Sequence, residues 1–249
     1  MDADSRSDQT SRQKTPYESP RSERTSRRES PRQSPQLVVD KDGNLSLEAD
    51  GVSLRGDFAR LLPRLRPQNL RRELIVRATR VRGVASPVLV DATAGLGEDS
   101  LLLAAAGFSV IMFERDEKVA ALLGDALRRA RQDPRLSEVA GRMRLMQEDA
   151  VTGLKRLELR PDVVYLDPMF PARRKDAATN KKLQMLRMLE QPCTDEGAEA
   201  LLAAALGAGP RKVVVKRPLK GPHLGGLRPS NSLAGKVVRY DILTGPPAT

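Results

Sequence analysis

The residues of this sequence best suited to chemistry are carboxylates that follow short apolar runs. Asp91 closes Pro87-Val88-Leu89-Val90 and opens Asp91-Ala92-Thr93-Ala94-Gly95-Leu96-Gly97-Glu98-Asp99-Ser100. Glu114 lies 23 residues further on, in Phe113-Glu114-Arg115-Asp116, and Asp149 follows in Gln147-Glu148-Asp149-Ala150. Gly95 and Gly97 let a backbone pass close to a ligand while it turns into a helix. A helix N-terminus attracts anions, yet Asp91, Glu98 and Asp99 crowded there would repel a dinucleotide pyrophosphate. S-adenosylmethionine carries no phosphate, and carboxylates suit its sulfonium and ammonium groups. Glu114 is placed to accept from two ribose hydroxyls, and Asp149 from the adenine amine. Each signal has a plainer alternative. The glycines could form only a tight strand-to-helix turn, and Asp149 could only cap the helix after it, as Asp116 would beside Glu114. Their order on successive strands favours an adenosylmethionine site.

A second feature is Tyr165-Leu166-Asp167-Pro168-Met169-Phe170-Pro171. It resembles the Asp-Pro-Pro-Tyr type loops of amino-methyltransferases acting on adenine, cytosine or guanine. The lone pair of an exocyclic base amine is delocalised into the ring, so methyl transfer needs that nitrogen oriented and pyramidalised. The Asp167 carboxylate and the Pro168 carbonyl can accept its N–H groups and aim the lone pair. Phe170 offers a stacking face to an extruded base, a contact worth about 1–3 kcal/mol. The alternative is a proline-stiffened turn whose Phe fills the core.

Strands and helices must hold these loops in place. Leu37–Val39 and Leu45–Leu47 flank Asp40-Lys41-Asp42-Gly43-Asn44 as a hairpin, and an Arg-rich helix is expected over Leu70–Arg82. Strands are expected at 87–90, 109–113, 142–146, 162–166, 212–216 and 236–243. Helices fall at 98–106, 117–130, 176–189 and 195–206. Strands separated by helices imply right-handed crossovers and a mostly parallel sheet covered on both faces. Ligands then sit at the carboxyl ends of the strands, where the loops above lie. Residues 1–36 contain only Met1, Ala3 and Tyr17 as hydrophobics and read as a disordered Ser/Arg-rich tail. Residues 37–82 form a hairpin and basic helical extension, and 83–249 the main domain.

Composition narrows the function classes. The 249 residues hold 43 Lys and Arg against 32 Asp and Glu, a net charge of +11. The tail carries only +2 of this and the rest of the chain +9. Among the basic clusters, Arg173, Arg174 and Lys175, and then Lys216 and Arg217, are candidates for RNA phosphate contacts. A single Cys, Cys193, excludes a disulfide scaffold. The longest near-continuous apolar stretch, Leu101 to Phe113, is shorter than the roughly 20 residues a membrane helix needs, so a cytoplasmic protein without membrane contact is expected. His223, the one histidine, has no partners for a metal site, and no metal is expected. Seven aromatics exclude a broad stacking platform but allow one stacking residue beside a flipped base.

The blocks Asp91 to Gly97, Glu114-Arg115, Val163 to Pro171 and Val213-Val214-Val215-Lys216-Arg217-Pro218 together resemble the RsmJ family. These are adenosylmethionine-dependent guanine-N2 methyltransferases of small-subunit (16S) ribosomal RNA. The resemblance runs from about Leu45 to Leu243, with Arg239-Tyr240-Asp241-Ile242 also in place. It implies a Rossmann-like class I methyltransferase fold with a small N-terminal extension. It also implies cofactor contacts from Glu98, Asp99, Glu114, Arg115, Asp149, Ala150 and Asp167, and a substrate of 16S rRNA or the 30S particle. Glu98 stands where the family commonly carries Arg, and Leu65 to Leu70 replaces a basic, glycine-rich stretch. A DNA or other RNA amino-methyltransferase, or a non-catalytic RNA-binding module keeping the fold, are the alternatives.

Overall fold

The structure is a computed structural model, and it describes residues 34–169, 185–186, 189 and 194–244. The expected tail, except for residues 34–36, lies outside the described residues. So do Phe170, Arg173, Arg174, Lys175 and most of the expected helix 176–189.

Seven strands form the main sheet: β4 (Val88–Asp91), β5 (Ser109–Glu114), β6 (Met143–Gln147), β7 (Val163–Leu166), β8 (Lys212–Pro218), β9 (Asn231–Ala234) and β10 (Val238–Thr244). Their order is β6-β5-β4-β7-β8-β10-β9. The first five are mutually parallel, and β10 runs antiparallel to both β8 and β9. The central strands β4, β7 and β8 carry continuous Val/Leu-rich runs because both sheet faces are covered there. The two-residue side-chain period splits them between two cores. Leu89, Val163, Tyr165 and Val214 face one core, with Leu101, Leu102 and Leu103 of α4 (Glu98–Ala105) and Leu123 and Leu127 of α5 (Glu117–Gln132). Val90, Val164, Leu166, Val213 and Val215 face the other, with Leu201 and Leu202 of the helix Asp195–Gly207. The chain builds outward from β4 to β5 and β6, then returns across the sheet to place β7 on the other side of β4. That reversal opens a crevice at the carboxyl ends of β4 and β7.

The N-terminal extension adds a three-stranded antiparallel sheet, β1 (Gln36–Val39), β2 (Leu45–Ala49) and β3 (Val52–Leu54). In the hairpin turn the Asp40 carboxylate accepts the N–H groups of Asp42 and Asn44, each at 2.9 Å. Leu47 and Leu54 seat this sheet against Leu122 of α5. Of the helix expected over 70–82 the structure forms α3 (Leu74–Thr79), preceded by two further short helices, α1 (Leu62–Leu65) and α2 (Pro67–Leu70). Proline favours the first helical turn and forces the residue before it to be extended. Arg66 accordingly has ψ 136°, and Glu73, with ψ 125°, breaks the chain again before α3. Arg64 of α1 clamps this second break with two hydrogen bonds to the Glu73 carboxylate, at 2.7 and 2.8 Å. Strands β3 and β9 and the short helix α6 (Ser137–Gly141) went unread in the sequence; α7 (Ala150–Lys155) was legible only as the helix that Asp149 could cap, and the helix Asp195–Gly207 is α8.

Candidate functional site

A cavity of about 490 Å³ opens at the carboxyl ends of the parallel strands. Its β4 side is built around Asp91, which is 1% exposed. Ser100 of α4 donates its hydroxyl to Oδ2 at 2.6 Å, and the Thr93 N–H donates to Oδ1 at 3.0 Å. Burial pushes the Asp91 carboxyl up to about 7. The Thr93 hydroxyl in turn accepts the Asp167 N–H at 2.7 Å, which ties the β4 loop to the loop after β7. The two glycines differ in their use. Gly95 lines the cavity at φ +53°, and its N–H donates to Glu114 Oε2 at 2.9 Å. Gly97 lies off the cavity lining and is the residue entering α4, at φ +74°. A Cβ there would stand 2.5 Å from Leu123 Cδ1 and 3.2 Å from Phe58 Cζ, so packing beneath α4 accounts for this glycine.

Glu114 ends β5 with each carboxylate oxygen engaged by one backbone N–H, Oε2 by Gly95 and Oε1 by Asp116, both at 2.9 Å. Each oxygen keeps further lone-pair capacity, Glu114 lines the cavity, and burial raises the carboxyl above its usual range. Arg115 lines the cavity beside it. Asp149 both lines the cavity and caps α7: its Oδ1 accepts from Val151 and Thr152 at 2.9 and 3.3 Å. Capping therefore occupies one oxygen and leaves Oδ2, and Ala150 follows on the lining.

At the opposite wall, Lys216 of β8 stands between two carboxylates. Its Nζ is 2.9 Å from Asp99 Oδ2 and 2.9 Å from Asp167 Oδ2. The Tyr165 hydroxyl also donates to Asp99 Oδ2, at 2.7 Å. Burial alone would lower Lys216, but Asp167 and Asp99 outweigh it and hold the ammonium well above its usual range. Burial raises Asp167, with Lys216 opposing. Glu98, at the cavity edge, pairs with Arg60 of the extension. Pro168, Met169, Leu186 and, from α8 and its cap, Thr194, Gly197, Ala200 and Leu201 complete the enclosure.

Two of the expected phosphate contacts are engaged by partners within the fold. The charge of Lys216 is engaged by Asp99 and Asp167 inside the cavity, because β8 lies next to β7 and carries it to the Asp167 loop. Arg217, one residue on, is 3% exposed and donates its Nε to the Pro222 carbonyl at 2.9 Å. Phe170, Arg173, Arg174 and Lys175 lie outside the described residues. Thr93, Ser100 and Tyr165 were not singled out in the sequence. Tyr165 did carry a signal, since a hydroxyl in an otherwise aliphatic buried strand needs a partner. Among the described residues no group of three or more His, Cys, Asp or Glu could hold a metal ion, and no helix is long and apolar enough to cross a membrane. The lining carries seven carboxylates, Asp91, Glu98, Asp99, Glu114, Glu148, Asp149 and Asp167, against the cations Arg115 and Lys216, which makes the cavity suited to a cationic ligand without phosphate.

Residues 23–245 match the model of a family described as "Putative SAM-dependent methyltransferase". The chain is 45% identical over 171 residues to the Ribosomal RNA small subunit methyltransferase J of Pseudomonas paraeruginosa, covering 68% of this chain and 65% of that protein. It is 42% identical over 176 residues to the protein of the same name from Thioalkalivibrio sulfidiphilus, covering 70% and 68%. The match thus spans about two thirds of the length of these relatives. The crystal structure of a SAM-dependent methyltransferase from Neisseria gonorrhoeae superposes with a TM-score of 0.71 at 32% identity, over 89% of this chain and 87% of that one.

Proposed function

The chain belongs to the SAM-dependent methyltransferase family, and from that premise we propose that it methylates the exocyclic N2 amine of one guanosine in small-subunit ribosomal RNA. The substrate class follows the printed function of the relatives. The observation that carries the amine chemistry is that Asp167 and Pro168 share one cavity with Glu114 and Asp149. The groups read as amine-orienting and those read as nucleoside-binding thereby meet at the carboxyl end of one sheet.

When bound, S-adenosylmethionine supplies an electrophilic methyl group on a sulfonium. Glu114 accepts the ribose hydroxyls with the lone pairs its backbone donors leave free, and Asp149 Oδ2 accepts the adenine amine. Gly95, Arg115 and Ala150 shape the same wall, with Asp91 holding the loop from beneath. Asp99 adds negative charge near the reacting end. Asp167 and the Pro168 carbonyl accept the two N–H groups of the base amine, so its lone pair points out of the ring plane toward the methyl donor. Attack of the amine on that methyl carbon would form the N–C bond as the C–S bond breaks, the sulfonium leaving as a neutral thioether and the amine proton passing to water, with no covalent enzyme intermediate. Beyond Met169 the proposal rests on sequence: Phe170 stacks on the flipped base and Arg173, Arg174 and Lys175 hold phosphates.

The test is to incubate the protein with methyl-labelled S-adenosylmethionine and small subunits lacking the modification, then digest the RNA and map the label. Label is expected on N2 of one guanosine. Label on adenine or cytosine, or none on RNA, would overturn the proposal.

A further inference from the structure

Lys216 is engaged inside the cavity, where an ammonium on a largely acidic lining does nothing to hold a cationic ligand. Two of its three N–H groups are accounted for by Asp99 Oδ2 and Asp167 Oδ2, each at 2.9 Å. The third has no acceptor among the described residues, and Lys216 lines the cavity. Asp167 likewise has Oδ2 on Lys216, while Oδ1 has no partner among the described residues. Lys216 and Asp167 thus bring one donor and two carboxylate acceptors, Oδ2 and Oδ1, to the lining of the same cavity.

Flipped bases are read by hydrogen bonds to their Watson–Crick edge. The guanine edge offers O6 as acceptor, then N1–H and N2–H as donors, the complement of that pattern. Adenine offers an N6–H donor followed by the bare N1 lone pair, and cytosine N4–H followed by bare N3. Either would set a ring-nitrogen lone pair against one of the two carboxylate oxygens. We propose that Lys216 is a specificity-determining residue that donates to guanine O6 while Asp167 accepts N1–H and N2–H. The inference rests on the guanine-N2 reading above and deepens it: the amine-orienting carboxylate and the base-selecting ammonium are one ion pair. It also gives the β8 placement a purpose, since β8 lies beside β7 and sets Lys216 against the Asp167 loop.

The test uses the full chain and small-subunit RNA in which the mapped guanosine is kept or replaced by 2-aminopurine. That base retains the 2-amine but lacks O6 and N1–H. The wild type should prefer guanosine in kcat/KM by at least about a hundredfold. Lys216→Met should narrow this ratio by about ten- to a hundredfold, the range of a hydrogen bond to a charged group, while Lys216→Arg retains most of it. Any loss from poorer positioning of Asp167 falls on both bases and cancels in the ratio. An unchanged circular-dichroism spectrum and cooperative unfolding show that the variant is folded. An unchanged ratio in Lys216→Met, whether both rates fall together or cofactor binding weakens instead, would overturn the proposal. The wild type alone provides an independent check. A 2,6-diaminopurine substrate, which sets an amine donor against Lys216, should be methylated more slowly than 2-aminopurine, and equal or faster methylation would overturn the proposal. Absence of guanosine labelling in the mapping experiment would instead strike the functional reading itself.

Discussion

Asp91 shows how one residue can belong to a site by holding it up. It is buried beneath the β4 loop, with Ser100 and Thr93 as donors, and its carboxyl is raised to about 7 against an ordinary value near about 4. The folded state therefore binds more protons than the unfolded state between those values, so stability falls as pH rises through that window. The effect is on the order of 4 kcal/mol between pH 4 and 8. Asp91→Asn should flatten that decline, as urea unfolding at a series of pH values would show; an equal slope in the two proteins would refute it. Asp149 allows a separate test, because Asn caps helices as well as Asp. Asp149→Asn should leave the unfolding midpoint within about 0.5 kcal/mol but weaken S-adenosylmethionine binding at least fivefold by calorimetry. The carboxylates were legible in the sequence because each terminates an apolar run. The destination of Lys216 was not, since its partners lie far away in sequence and only the strand order β7-β8 brings them together.

Among the elements, the parallel strands and the helices between them were readable from apolar runs and caps, often to within a residue. Asp116 shows why: its side chain accepts from Lys118 and Val119 and starts α5 one residue later. The helix expected over 70–82 is shorter than the Arg-rich pattern suggests: the extended Glu73 delays its start to Leu74 and the extended Arg80 ends it at Thr79, while Pro63 and Pro67 open two short helices ahead of it. The edge strand β9 has three of its four residues exposed and so carries little apolar signal. The entry to α4 is a glycine turn, and at Gly97 it packs on Leu123 and Phe58, a contact that the spacing of the glycines in the sequence does not reveal. Gly97→Ala combines a strained positive φ with overpacking and should cost about 2–4 kcal/mol. The unfolding midpoint checks this directly, and a neutral result would mean that α5 and Phe58 can give way. Thr194, whose Oγ1 accepts the Gly197 N–H at 3.0 Å, caps α8 beside the cavity. Thr194→Ala should cost about 1 kcal/mol.

Over the whole molecule, the charge excess and the site have opposite signs. The cavity is lined by carboxylates, while the residues after the tail carry a net +9. Arg66, Arg71, Arg72, Arg77, Arg80 and Arg82 of the extension and its connection to β4 are all exposed. A polyanion held by such a surface releases counterions, so affinity for small-subunit RNA should fall with a log–log salt slope of about −3 to −6. A flat salt response would exclude a phosphate-tracking surface. S-adenosylmethionine binding, which uses buried contacts, should change little over the same salt range. The most direct measurement of the central claim is nucleoside analysis of small-subunit RNA from cells lacking this protein. One N2-methylguanosine should be missing, restored by the wild type and not by Asp167→Ala. An unchanged N2-methylguanosine content in those cells, or full restoration by Asp167→Ala, would contradict the account.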